Sequence, residues 1–309
     1  MYGRSVVPTN VSYTYDILNA NLVAFEMRYP FLKFGNIGKS VMGRRIPYVR
    51  MGEGEKEVFY CASYHANEWI TTPVLMKFIE DFSEAYVNNT GFNGYLAREL
   101  YRQVSIYLVP MVNPDGVDLV TGALRPGSRN YQAAKRIADD YPEIPFPEGW
   151  KANIHGIDLN LQYPAGWDKA KENKAMLGIT GPAPRDFVGW APLTANEAKA
   201  VYDFTREHDF KLILTYHTQG EVIYWKYLDY LPEKSYEIGR KFADVSGYEL
   251  EETPYASSFA GYKDWFIQEY DRPGYTIEVG LGENPLPIEQ FDQIYNDNIG
   301  ILVLGAVLI

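Results

Sequence analysis

Apolar positions along the chain gather into four short runs: "EVFYCASY" (57–64), "VSIYLVPMV" (104–112), "KLILTYHT" (211–218) and "GYTIEVG" (274–280). Each is too short for a buried helix and rich in β-branched or aromatic residues, which predicts an interior strand. Between and around them the pattern predicts helices at 13–29, 71–87, 194–208, 233–246 and 287–304. The fourth opens after Pro232, and the third begins with "TANE", where Thr194 and Glu197 have the spacing of a capping box. Alternating strands and helices imply a parallel or mixed sheet covered on both faces. No repeat, low-complexity tract or Ser/Gly linker interrupts the chain, so residues 1–309 are expected to form one domain. A long stretch, roughly 122–192, reads as irregular, and loops of that length inside a compact domain are usually functional.

A sheet of this kind carries its chemistry in the loops beyond the carboxyl ends of the strands. His65 and Glu68 follow the first run, Asn113 and Asp115 the second, His217 ends the third and Glu278 ends the fourth. A catalytic zinc takes three protein ligands from histidine and carboxylate and keeps a fourth position for water. His65 and Glu68, three apart, lie on one side of a helical turn and can face one ion. The third ligand has three histidine candidates. His217 stands at the edge of the expected sheet. His208 closes a charged helix, where the helix dipole accounts for it. His155 sits in a loop and reads equally well as solvent-facing. Glu278 is a lone acid in an apolar strand; it is either the base for an activated water or half of a buried ion pair with an arginine.

Composition narrows the classes. A net charge of −11 argues against nucleic acid as a partner. No window approaches the roughly 20 apolar residues of a membrane span. Cys61 is the single cysteine, which rules out an intrachain disulfide and reads as a core thiol. The first residues lack the apolar core of a signal peptide, so the cytoplasm is the expected compartment as written. A leader or wall-binding module outside this sequence would instead place the protein in the cell envelope or spore.

Taken in order, "HANEW" (65–69), "NPDG" (113–116), "GIDLN" (156–160), "YHT" (216–218), "YKDW" (262–265) and "IEVG" (277–280) resemble the zinc metallocarboxypeptidases typified by carboxypeptidase A. The likeness runs across nearly the whole chain. It implies a three-layer α/β/α sandwich around a mixed, mostly parallel eight-stranded sheet. It also implies one zinc per chain on His65, Glu68 and His217, with Glu278 activating the water. Tyr255 in "TPYASS" resembles the family's mobile tyrosine over the substrate.

Three positions depart from the family pattern. The exopeptidases hold a terminal carboxylate with an Asn-Arg pair; here Asn160 is kept, Leu161 replaces the arginine, and Gln162 follows. Where relatives often carry an arginine that polarises the scissile carbonyl, this chain has Lys151, and Arg125 or Arg129 in the preceding loop would share or take the role. The residue before "DW", which often sets side-chain preference in the family, is Lys263. It would favour an acidic group on the leaving residue, unless it is a helix-surface lysine reaching water.

These departures resemble the bacterial branch of γ-D-glutamyl-L-diamino acid endopeptidases, which cut between D-glutamate and diaminopimelate in peptidoglycan stem peptides. The expected substrate is therefore a peptidoglycan-derived peptide. The alternatives are a carboxypeptidase acting on ordinary peptides, or a non-catalytic peptidoglycan-binding module that retains the fold.

Overall fold

A computed structural model describes residues 5–309. Its strands are β1 (Lys33–Lys39), β2 (Arg45–Met51), β3 (Lys56–Ala62), the short hairpin β4 (Gly91–Phe92) and β5 (Tyr95–Leu96), β6 (Val104–Val109), β7 (Phe210–His217), β8 (Val222–Tyr224), β9 (Glu249–Glu251) and β10 (Gly274–Glu278). Its helices are α1 (Tyr15–Arg28), α2 (Thr71–Asn88), α3 (Ala97–Gln103), α4 (Pro114–Val120), α5 (Arg129–Ala138), α6 (Trp167–Met176), α7 (Asn196–Arg206), α8 (Ser235–Ser246), α9 (Tyr262–Tyr270) and α10 (Phe291–Val307).

Eight strands form one sheet in the order β1-β2-β6-β3-β7-β10-β8-β9. The four apolar runs make its centre, β6-β3-β7-β10, and all neighbours there are parallel. The two edges add antiparallel pairs, so the sheet is mixed. Side chains alternate between faces, as the strand period requires. Val58, Tyr60, Leu212, Leu214, Tyr275 and Ile277 join α1, α2, α8 and α10 in one apolar core. Phe59, Cys61, Tyr107 and Ile213 join α6, α7 and α9 in the other. This is the three-layer arrangement expected.

Two local expectations need correction. Thr194 and Glu197 do not form a capping box: α7 starts at Asn196, with Ala195 at its N-cap. Thr194 Oγ1 donates instead to Ala191 O and to Gln162 Oε1. The buried Glu197 carboxylate turns inward and accepts from Val41 N and Asn153 Nδ2. Nor is 122–192 wholly irregular, since α5 and α6 lie within it.

The central strands position the site. Glu278 and His217 are register partners across the parallel β7–β10 pair. Being neighbours in register, they share a face, so the strands' own hydrogen bonds hold base and ligand candidates together.

Candidate active site

The chain leaves β3 through Ser63, which adopts a left-handed φ of 49°. Ser63 is fixed by Thr71 Oγ1, which accepts from its N–H, and by hydroxyl contacts to Thr71 and Thr72. This turn delivers His65 to the sheet edge, and a single 3₁₀ turn, Ala66–Glu68, brings Glu68 to the same point. Asn113, the N-cap of α4, donates through Nδ2 to Tyr64 O and Ala152 O. Its role is to clamp the His65 turn to the Lys151 segment, and Ala66 N donates to Lys151 O across the same junction. Asp115 accepts from Met42 N and is likewise part of the scaffold.

His65, Glu68 and His217 converge, all buried, with candidate ligand atoms within 4.8 Å of one another. His65 Nδ1 lies 2.9 Å from Glu68 Oε1, His217 Nδ1 lies 2.8 Å from Glu68 Oε2, and the two Nδ1 atoms are 3.1 Å apart. Ligands about 2.0–2.1 Å from a tetrahedral zinc sit roughly 3.3 Å from each other, so the donor set fits that ion with little adjustment. Asp158 Oδ1 faces the other nitrogen of His65 at 3.1 Å, which fixes the ring and leaves the Nδ1 lone pair for a metal.

The electrostatics also call for a cation. Burial opposes ionisation of Glu68, but His65 and His217 outweigh it and hold its carboxyl well below the usual range. Asp158 is depressed in the same way, with His65 and Lys151 outweighing burial. Burial lowers His217 despite Glu68, whereas Glu68 and Asp158 overcome burial and raise His65. Glu278 is pushed up to about 8, first by burial and then by the charge of Glu68. Lys151 Nζ is 4.0 Å from Glu68 Oε1.

Two cavities meet at this centre. One, of about 290 Å³, includes His65, His217, Asn160, Leu161, Lys263 and Asp264 in its lining. The other, of about 560 Å³, lies beyond Asn67, Glu68 and Thr218. Lys151, Arg185, Tyr224 and Glu278 line both, so they form the junction.

Residues 18–300 match the family described as zinc carboxypeptidase. The chain belongs to the zinc carboxypeptidase family. This zinc carboxypeptidase homologue is a hydrolase, a zinc metallopeptidase by descent. It is 44% identical to γ-D-glutamyl-L-diamino acid endopeptidase 1 of Lysinibacillus sphaericus over 96% of this chain and 73% of that one. It is 42% identical to the Bacillus subtilis protein YqgT over 89% of this chain and 72% of that one. Bovine thrombin-activatable fibrinolysis inhibitor shares the fold, with a TM-score of 0.75, 17% identity and coverage of 97% and 98%.

The other expected residues of this family member divide sharply. Asn160 reaches the first cavity; its Oδ1 accepts from Tyr262 N, and its Nδ2 has no protein partner among the described residues. Lys263 is buried in the same cavity rather than reaching water, with Nζ 2.7 Å from Asp264 Oδ1 and donating to Lys226 O. Gln162 is a correction. It is fully buried, its Nε2 donates to Val188 O, and its Oε1 accepts from Ala195 N, so it ties a loop and has no group left for substrate. Arg129 is a second correction. It opens α5, Arg125 precedes that helix, and both are exposed and outside both cavity linings. Tyr255 is 64% exposed, packed edge-on against Phe259, next to Pro254 at the cavity rim. His155 is exposed, and His208 pairs with Glu57 away from the centre.

Sequence reasoning missed Asp158 and Arg185. Asp158 sat inside "GIDLN", where a carboxylate within a matched motif was signal enough. Arg185 lies in "APRDF", and no periodicity or spacing marks it.

Proposed function

We propose that this hydrolase cuts the amide bond between the γ-carboxyl of D-glutamate and diaminopimelate in peptidoglycan stem peptides, with one zinc ion per chain. The observation that carries this reading is the floor of the first cavity, where the buried Lys263–Asp264 pair lies near Leu161. An ordinary exopeptidase needs a cation for the leaving residue's terminal carboxylate, and leucine offers none. Diaminopimelate ends its side chain in an ammonium and a carboxylate on one carbon. A buried lysine beside a buried aspartate matches that zwitterion charge for charge. A leaving lysine would set an ammonium against Lys263 with no carboxylate to offset it. The name of the Lysinibacillus relative, a γ-D-glutamyl-L-diamino acid endopeptidase, supports a γ-D-glutamyl bond to a diamino acid.

His65, Glu68 and His217 would hold the zinc, which when bound supplies Lewis acidity that eases ionisation of water and polarises a carbonyl. Glu278 takes the attacking water's proton and passes it to the leaving amine nitrogen, acting as base and then as acid. Its raised pKa suits the second role, and a nearby dication favours the ionised form needed for the first. Lys151 presents its ammonium to the oxygen on which charge develops, as a point charge rather than a fork. Asp158 keeps His65 in orientation, and Asn160 Nδ2 is free to donate to the leaving residue.

The test is incubation of zinc-loaded protein with L-Ala-γ-D-Glu-meso-diaminopimelate and, separately, with ordinary peptides ending in a free α-carboxylate, read by mass spectrometry. Release of diaminopimelate is expected. Trimming of ordinary peptides without release of diaminopimelate would overturn the reading in favour of a carboxypeptidase.

A further inference from the structure

A γ-linked glutamate differs from an α-linked residue with an uncharged side chain in one feature near the scissile bond. Its α-carboxylate remains free on the acyl side, a few bonds from the carbonyl under attack. An acyl-side cavity that accepts it should offer a cation, and few are available. Of the residues lining the second cavity, Glu68, Glu143, Glu148, Glu278 and Glu283 are acidic, and only Lys151 and Arg185 are basic. Lys151 is engaged near Glu68 at the centre.

Arg185 is held in place from both sides. The preceding Pro184 O accepts from Lys151 N at 2.8 Å and Ala152 N at 2.9 Å. The following Asp186 N donates to Asp158 Oδ2, the carboxylate that also orients His65. Asp186 adopts a left-handed φ of 69°, a conformation unfavourable for a residue with a side chain and sustained here by these anchors. The arginine side chain is oriented as well. Its Nε lies 2.9 Å from Asp186 Oδ2, and Lys174 Nζ holds the other oxygen of that carboxylate at 2.6 Å. The two terminal guanidinium nitrogens have no protein partner among the described residues. They form a fork at the junction of the two cavities, the geometry that receives a carboxylate through two parallel hydrogen bonds.

We infer that Arg185 binds the free α-carboxylate of the γ-linked glutamyl residue and so favours γ-glutamyl bonds over α-peptide bonds that follow an uncharged residue. This rests on the γ-D-glutamyl reading above and adds the residue that recognises the acyl side. The cation absent at Leu161 is therefore not replaced for an exopeptidase's purpose. A cation stands instead where a γ-linked substrate carries a charge and an α-linked one with an uncharged side chain does not.

The experiment compares kcat/KM for L-Ala-γ-D-Glu-meso-diaminopimelate, for its analogue with the glutamyl α-carboxylate converted to a carboxamide, and for an analogue amidated at the diaminopimelate α-carboxylate next to the scissile nitrogen. The zinc-loaded wild type is set beside Arg185→Gln and Arg185→Lys. Loss of a charge-assisted bidentate contact predicts a wild-type preference for carboxylate over glutamyl carboxamide of about 10- to 100-fold. Arg185→Gln should collapse that ratio towards one, and Arg185→Lys should leave an intermediate ratio because it keeps charge without the fork. Equal losses on the first two substrates in Arg185→Gln would overturn the inference, as would a change confined to the diaminopimelate-amidated analogue. Wild type that cleaves acid and glutamyl carboxamide equally well would also overturn it while leaving the γ-D-glutamyl reading intact. Wild type that cleaves none of the three would defeat that reading and this one with it.

Discussion

Replacing Lys263 by Met tests the floor of the first cavity in two independent ways. Lys263 and Asp264 are 4% and 3% exposed, and their charges meet at 2.7 Å. Without the lysine, the Asp264 carboxylate keeps a bond from Gly261 N at 3.3 Å as its remaining backbone support. Removing one partner of a buried pair leaves an uncompensated charge and costs about 3–5 kcal/mol. The double variant Lys263→Met/Asp264→Asn removes the orphaned charge while keeping an acceptor for Gly261, so it should recover most of that loss. Urea unfolding of the three proteins reads these differences as shifts in midpoint at constant slope. Selectivity should follow its own order. Wild type favours diaminopimelate over lysine as the leaving residue, Lys263→Met favours lysine because Asp264 then faces the ammonium alone, and the double variant discriminates little. A single variant within about 1 kcal/mol of wild type would mean that the pair is solvent-screened. An unchanged ratio of the two substrates in Lys263→Met would mean that the pair does not read the leaving residue.

Glu278→Gln should bind zinc as wild type does and lose turnover by about 10²–10⁴-fold, read by metal analysis beside kcat; near-normal kcat would remove Glu278 from proton transfer. Asp158→Asn should weaken zinc affinity by about 10- to 100-fold in chelator competition, because His65 loses the carboxylate that orients it; unchanged affinity would refute that role. In metal-free protein, Glu278 holds its proton up to about 8, whereas the unfolded chain releases it near 4.5. The native state then binds more protons across that window, so this group's contribution is full below about 4.5 and fades as pH rises through about 8. Unfolding midpoints of metal-free wild type should therefore fall more between about pH 5 and about pH 9 than those of metal-free Glu278→Gln; parallel profiles would contradict the shift.

The central strands were legible because each is a continuous apolar run, and the helices at 71–88 and 235–246 because their apolar positions repeat between clear stops. The outer strands were not. β1 is polar with two glycines, β2 contains Pro47, and β8 and β9 have three residues each, too few for any period to register. The candidate ligands could be read because they end a strong strand, as His217 does, or follow one closely, as His65 and Glu68 do, within matched motifs. Gln162 misled because its position beside Asn160 suggested the cavity, while the turn there sends its side chain into the protein. Glu197 misled similarly: a capping spacing is local, and the acid was recruited by Val41 and Asn153, far away in sequence. Arg185 depends wholly on tertiary folding, since only the docking of Pro184 onto Lys151 brings it to the centre.

Because Glu278 and His217 sit opposite one another in the β7–β10 ladder, their spacing is set by main-chain hydrogen bonds and is indifferent to most side-chain substitution. Lys263 and Arg185 hang on different supports, the first turn of α9 and a strained loop. The groups proposed to break the bond and those proposed to read the substrate thus stand on separate pieces of backbone. On the proposed function, substitutions in α9 and that loop would change what is digested without moving the groups that break the bond.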